Sequence, residues 1–295
     1  MKEAFIDRKF SLASLALIKK ANEILAEYEA AGYDLSVRQL YYQFVARDII
    51  PNTTKSYSNL SSVISDARKA GMIDWGMILD RGRVVVSNSH WKTPKEILES
   101  AATSFAIDKW LTQPNFVYVM VEKQALEGVL QPVCSALDVP FLANKGYCSD
   151  STMYRVGKRI EHARMRGKEP VVIYLGDHDP SGIDMTRDVT ERLEMYSGGP
   201  VDVLRVALNM DQIRRLRPPE NPAKSSDSRF DSYVERFGTS SWELDAIEPN
   251  ELAQIVRTNI IANRDEDEWD KAVEREDNMK IDLQRMADDY EEERE

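Results

Sequence analysis

Apolar residues recur at helical spacing up to about position 113 and come in short solid runs after it. Residues 10–31 place Leu12, Leu15, Ile18, Leu25 and Tyr28 on one helical face, and Gly32 ends the run. Ser36 is placed to cap a second helix, VRQLYYQFVARDI, which breaks at Pro51. Thr53 or Thr54 can cap a third, KSYSNLSSVISDARKAG, closed by Gly71. MILDRGRVVVSN then reads as two short strands around Asp80-Arg81-Gly82-Arg83. Thr93-Pro94 opens a connecting helix over 93–113. From there strands and helices alternate: FVYVMVE (116–122), a helix over 124–137, VPFLAN (139–144), a helix over 150–166, EPVVIYLGD (169–177), a helix over 182–195 and VDVLRVAL (201–208).

Strands that are nearly all apolar and separated by helices predict an α/β fold with a parallel sheet covered on both faces. Ligand sites in such sheets sit beyond the carboxyl ends of the strands. Three helices followed by a basic-tipped hairpin are the order of a winged helix, whose third helix enters the major groove. Its outward positions here include Lys55, Ser58, Asn59, Ser62 and Lys69, and Arg81 and Arg83 sit on the wing. A small helical domain with an incidentally basic surface fits the same pattern. Residues 214–229, rich in Pro, Ser and Arg, read as a solvated loop, and 242–260 as a turn feeding a helix. From Arg264 the chain is a charged helix or tail with sparse apolar points at Trp269, Val273, Ile281, Leu283 and Met286, expected to be solvated or to face a partner. The predicted divisions are a helical DNA-binding domain (1–92), a connecting helix (93–115), a metal-binding α/β domain (116–262) and an acidic tail (263–295).

Composition narrows the function. Hydrophobic residues make up 42% and charged ones 30%, within the range of a water-soluble globular chain. No apolar stretch approaches the ~20 residues of a membrane span, and MKEAFIDRKF has no apolar signal core. Cys134 and Cys148 make no disulfide framework or zinc cluster, so a cytoplasmic location is expected. No GxxxxGK[ST] loop occurs, which argues against an ATPase in this chain. The net charge of −11 is uneven: residues 264–295 hold 15 acids and 6 bases, which leaves only −2 for the rest. Residues 1–92, with 13 bases and 10 acids, are modestly basic, so a local DNA site remains open.

The chemistry lies at the carboxyl ends of two strands. One ends in Glu122-Lys123, the other in Asp177-His178-Asp179. Neighbouring strands lie ~4.8 Å apart, so three carboxylates there would repel unless a cation neutralised them. Hard oxygen ligands suit Mg²⁺, with Mn²⁺ as a substitute. Local alternatives exist. Asp179-Pro180 is also a helix start with Asp as N-cap, Glu122 can pair with Lys123, and His178 reads as a flank of the loop. Asp177 has no such explanation.

VMVEKQAL (119–126) and YLGDHDPSGID (174–184) together resemble the Toprim domain, the Mg²⁺-dependent module of topoisomerases, primases and certain nucleases. SVRQLYYQF (36–44) resembles the active-site tyrosine segment of the topoisomerase VI A subunit and Spo11-like family, and WELDAI (242–247), more loosely, a Glu-rich segment near the end of those subunits. The resemblance spans roughly residues 35–255. It implies a winged helix followed by a Toprim domain, possessed also by compact stand-alone A-like proteins of bacteria and phages. Helical geometry separates the two tyrosines. Tyr41 lies on the apolar stripe of Val37, Leu40, Phe44 and Val45, whereas Tyr42 sits about 100° away on the side of Arg38. Tyr42 also matches the family's nucleophile, and a reachable Tyr42 beside Arg38 would be favoured as phenolate.

The resemblance implies DNA strand cleavage by transesterification, with a 5′-phosphotyrosyl link to Tyr42. Mg²⁺ on Glu122, Asp177 and Asp179 would stabilise the phosphate charge, with Lys123 adding to it. It also implies a homodimer, in which the tyrosine of one copy faces the metal of the other, and a separate ATPase B-type subunit. Two readings stay open beside it: a Toprim nuclease that uses water instead of Tyr42, and a non-catalytic DNA-binding protein.

Overall fold

The computed structural model describes residues 2–33, 35–78 and 88–292. Helices α1 (Leu12–Ala30), α2 (Val37–Ala46) and α3 (Thr54–Lys69) come first. Ser11, Ser36 and Thr53 cap them by accepting the backbone N–H groups of Ser14, Gln39 and Ser56. Gln39 closes a capping box on Ser36, so the segment before Tyr42 is fixed at both orphan donors. The three helices share a core that includes Ile18, Leu25, Leu40, Phe44, Leu60 and Ile64. Residues 79–87, with most of the predicted wing and both Arg81 and Arg83, lie outside the described residues.

Helix α4 (Pro94–Ser104) is shorter than the connecting helix predicted over 93–113. Residues 108–113 turn instead, because the Asp108 carboxylate accepts the Trp110 N–H and the Lys168 ammonium gathers the carbonyls of Trp110 and Gln113. Strands β1 (Asn115–Val121), β2 (Phe141–Ala143), β3 (Glu169–Leu175) and β4 (Asp202–Ala207) form one parallel sheet in the order β2-β1-β3-β4. Helices α5 (Glu127–Ala136), α6 (Asp150–Met165) and α7 (Pro180–Ser197) connect them. The sheet is covered on both faces, as its apolar runs predict: Met153, Ile160, Met185 and Leu193 of α6 and α7 meet Met120 and Tyr174 on one side. On the other, α5 packs with a later helix against Val119, Val121, Ile173 and Leu175.

The segment predicted as a loop over 214–229 begins as helix α8 (Met210–Leu216), which Asn209 and Gln212 start with a capping box. Arg217 ends it in a left-handed conformation before Pro218. A two-residue pair, β5 (Asn221–Pro222) with β6 (Ser240–Ser241), brackets a further helix, α9 (Phe230–Phe237). After a short 3-10 turn at Leu244–Ala246, α10 (Pro249–Ala262) provides the second cover of the sheet. The acidic end is neither a tail nor a fully solvated helix. It forms α11 (Glu266–Glu292), which packs along α4. Gln113 clamps its start by bonding both the N–H and the C=O of Asp265. Trp269 and Ala287 are buried, while Ile281 and Met286 remain exposed. No helix among the described residues is long and apolar enough to cross a membrane.

Candidate active site

β1 and β3 are paired in register, with Val121 beside Leu175. Glu122 and the Gly176-Asp177 turn therefore leave the sheet side by side, and the Glu122 N–H donates to the Leu175 carbonyl at 2.9 Å. The Glu122 carboxylate turns back to accept the Asp177 N–H, also at 2.9 Å. Gly176 eases this closeness: a Cβ there would stand 2.9 Å from Glu122 Oε2 and 3.1 Å from an Arg205 nitrogen. Arg205, the one cation inside the apolar run of β4, ties the turn down through the carbonyls of Gly176, Asp177 and Gly182.

Asp179 acts as the N-cap of α7, accepting the Gly182 N–H at 2.6 Å and the Ser181 hydroxyl at 3.1 Å. His178 is a wall of the site. It is buried, bonded to the Tyr233 hydroxyl at 2.8 Å and packed against Phe237 and Trp242. Burial, then the nearby Arg205, push its pKa down to about 4, so the imidazole is neutral. Its backbone pairs in both directions with Trp242.

That pairing brings in two carboxylates that the prediction did not assign to the site. Trp242 is followed by Glu243 and Asp245, and the Leu244 N–H between them donates to Asp177 Oδ1 at 2.7 Å. Lys123 stands among the acids, 2.9 Å from each of Asp177, Glu243 and Asp245. Arg38 of α2 reaches the same pair, at 3.0 Å from Glu243 and 3.4 Å from Asp245. The Tyr42 hydroxyl interacts with both Arg38 and Glu243. Arg38, Tyr42, Glu122, Lys123 and Asp177 thus belong to one polar cluster, with Asp179 at its edge. The signal for the missed pair was present in WELDAI: Glu243-x-Asp245 repeats the spacing of Asp177-x-Asp179.

The electrostatics show strain in the acids. Burial, then Asp177 beside it, raise the Glu122 pKa in spite of Lys123. Burial raises Asp177 and Asp245 as well, although Lys123 opposes the shift at both. Glu243 is the exception: against burial, Lys123 and Arg38 hold it well below the usual carboxylate range. Asp245 Oδ2 is buried with no hydrogen-bond partner, and the 3.4 Å approach of Arg38 Nε is an ion contact only.

Tyr42 corrects two expectations. It lies beside Arg38 as predicted, yet it is only 3% exposed, and Tyr41 is nearly as covered at 4%. Tyr41 is the core residue expected, with its hydroxyl donating to Asn52 at 2.9 Å. Tyr42 is not reachable in this arrangement. Nor is its phenolate favoured: burial and then Asp245 and Glu243 raise its pKa, and Arg38 does not offset them.

Among the described residues, no three Asp, Glu, His or Cys side chains converge as a ready-made cation site. Two of the expected ligands still lie side by side as the hard oxygen donors that such a cation prefers. Glu122 and Asp177 are neighbouring buried carboxylates with raised pKa values, and Lys123 supplies the positive charge between them and Asp245. On the N-terminal side, a cleft of about 480 Å³ between α2, α3 and Ala125 includes Arg38, Arg68 and Lys69 in its lining. Lys55 and Asn59 are exposed on α3 outside that lining. Arg68 is already committed, stacking on Trp75 and donating to the carbonyls of Trp75 and Ile78. No protein-family model matches the chain, and no curated protein sequence matches it.

Proposed function

We propose that the protein cleaves DNA strands by transesterification, as a winged-helix and Toprim protein of the topoisomerase VI A and Spo11-like kind. The observation that carries this reading is the convergence of Tyr42 and Arg38, on a helical unit, with Glu122, Lys123 and Asp177 on a sheet edge. The arrangement fits a closed resting state. Opening the contact between α2 and the Glu243 segment exposes Tyr42 to a phosphodiester, and Arg38 holds the phosphate. The Tyr42 oxygen then bonds to phosphorus and gives up its proton to water. The P–O3′ bond breaks, and the 3′-oxygen leaves and takes up a proton. Glu122, Asp177 and Asp179 would hold Mg²⁺, or Mn²⁺ in its place, and the bound ion supplies charge stabilisation at the phosphate. Two copies acting together would cut both strands, and a separate ATPase subunit would be needed for coupled strand passage.

The test is denaturation after incubation with supercoiled DNA and Mg²⁺. A protein–DNA adduct that is absent from Tyr42→Phe supports the proposal. The burial of Tyr42 favours a second reading, metal-dependent hydrolysis by water. Cleavage undiminished in Tyr42→Phe and lost in Asp177→Asn would establish that reading and reject the first. No cleavage and no Mg²⁺ binding would leave a non-catalytic DNA-binding protein.

A further inference from the structure

A second cavity lies at the opposite end of the sheet from the carboxylates. It measures about 950 Å³ and opens beside the start of β1, where Phe116, Val117 and Pro140 form an apolar floor. One wall is α6. Arg155, Arg159, His162 and Arg166 follow one another at intervals of four, three and four residues, so they share a helical face, and all are exposed. The stripe runs about 16 Å along the axis. With Lys158 and Lys168, five full cations line the cavity against two acids, Asp108 and Asp138.

The acids are already turned to the backbone. Asp108 accepts the Trp110 N–H and Asp138 the Lys109 N–H, each at 2.9 Å. Lys158 pairs with Glu161 at 2.8 Å. Among the described residues, Arg159 and Arg166 make no ion pair. In a chain of net charge −11 this is a local reversal of sign. Aromatic surface accompanies it: Phe116 is half-buried in the floor, and Tyr154 stands 50% exposed at the rim.

We propose that this groove binds single-stranded nucleic acid, with backbone phosphates along the α6 cations and unstacked bases against Phe116 and Tyr154. A basic track beside aromatic and apolar surface is the arrangement that single strands require. A duplex keeps its bases stacked inside and would leave the apolar floor unused. An acidic peptide would satisfy the cations but does not set a planar ring beside each charge, as a nucleotide does. The groove is separate from the carboxylate site, so the inference stands whether or not the protein cuts DNA.

The test is fluorescence anisotropy of the full chain with a labelled oligothymidylate of about 12 nucleotides. The double variant Arg159→Gln, Arg166→Gln should bind roughly tenfold or more weakly. The slope of log affinity against log salt should fall by about 1.4, or ~0.7 for each lost phosphate contact. Both residues are exposed, so the circular dichroism and urea midpoint should stay at the wild-type values. Four outcomes would overturn the proposal: no oligonucleotide binding at low salt, unchanged affinity in the double variant, equal affinity for a hairpin duplex of similar length, or complete displacement by thymidine monophosphate or polyglutamate at matched charge.

Discussion

Lys123 is the single ammonium between Asp177, Glu243 and Asp245, and Asp245 is fully buried at its side chain. Removing one partner of a buried charge cluster leaves the others uncompensated, at a cost of about 3–5 kcal/mol. Lys123→Met should lower stability by that amount, read from urea unfolding midpoints. Adding Asp245→Asn should recover at least ~1 kcal/mol, because it removes a stranded charge; strictly additive losses would contradict the coupling. The glycines offer a second comparison. A Cβ on Gly182 would lie 2.3 Å from the Asp177 carbonyl oxygen, whereas one on Gly176 would first meet the movable end of Glu122 at 2.9 Å. Gly182→Ala should therefore cost about 1–3 kcal/mol or more and exceed Gly176→Ala in the same assay. At this scale the sequence was readable where a residue lacked a local explanation. Asp177 follows a buried strand with nothing to cap, and it is central. Glu243 and Asp245 carry the same acid-x-acid spacing, but nothing local places them at the sheet edge; the long-range pairing of His178 with Trp242 delivers them.

The helices and strands were legible wherever an apolar period was long and capped, as in α1 to α3 and β1 to β4. Two departures have physical causes. FDSYVERF, to which no element was assigned, carries an apolar stripe at Phe230, Tyr233, Val234 and Phe237, but its two turns are short and follow a loop-like run of Pro, Ser and Arg. The sparse apolar residues of α11 looked insufficient to bury a face. Trp269 and Val273 nevertheless join the main core, and charge adds to that packing: Glu276 is buried and accepts the Ile107 N–H at 3.0 Å, with the ammonium groups of Lys109 and Lys280. Against burial, those donors hold the Glu276 pKa at about 2, below its ordinary value of 4.5. A lowered carboxylate pKa contributes stability above the unfolded value, and that contribution fades as pH falls from 4.5 towards 2. Glu276→Gln should thus cost about 1–2 kcal/mol at neutral pH, after allowance for solvent around the lysines. The gap between variant and wild type should narrow at about pH 3. A gap independent of pH would show that packing, not charge, holds α11.

Across the whole molecule, the helical unit and the sheet unit meet closely. Ala246 packs into the core of the first three helices, Tyr33 touches both cores, the Tyr28 hydroxyl donates to Glu248, and Asn52 bonds Asn221 at 2.9 Å. The order of the two units was legible in the change from helical spacing to solid apolar runs. Their contact was not, because hydrophobic pattern specifies what an element buries and not which distant surface covers Tyr42. If this closed form precedes cleavage, then α2 must separate from the Glu243 segment for Tyr42 to react. Arg38 and Glu243 are partly exposed, with side-chain accessibilities of 50% and 26%, so their pairing contributes only about 1 kcal/mol. Removing it with Glu243→Gln should raise the opening equilibrium roughly fivefold. Hydrogen–deuterium exchange measures this directly. Amides in residues 37–46 should exchange about that much faster in Glu243→Gln, while those in β1 and β3 keep their wild-type rates. DNA with Mg²⁺ should accelerate the same α2 amides in the wild-type protein. DNA cleavage accompanied by unchanged α2 exchange would mean that Tyr42 stays covered throughout, and the chemistry would then have to proceed by water.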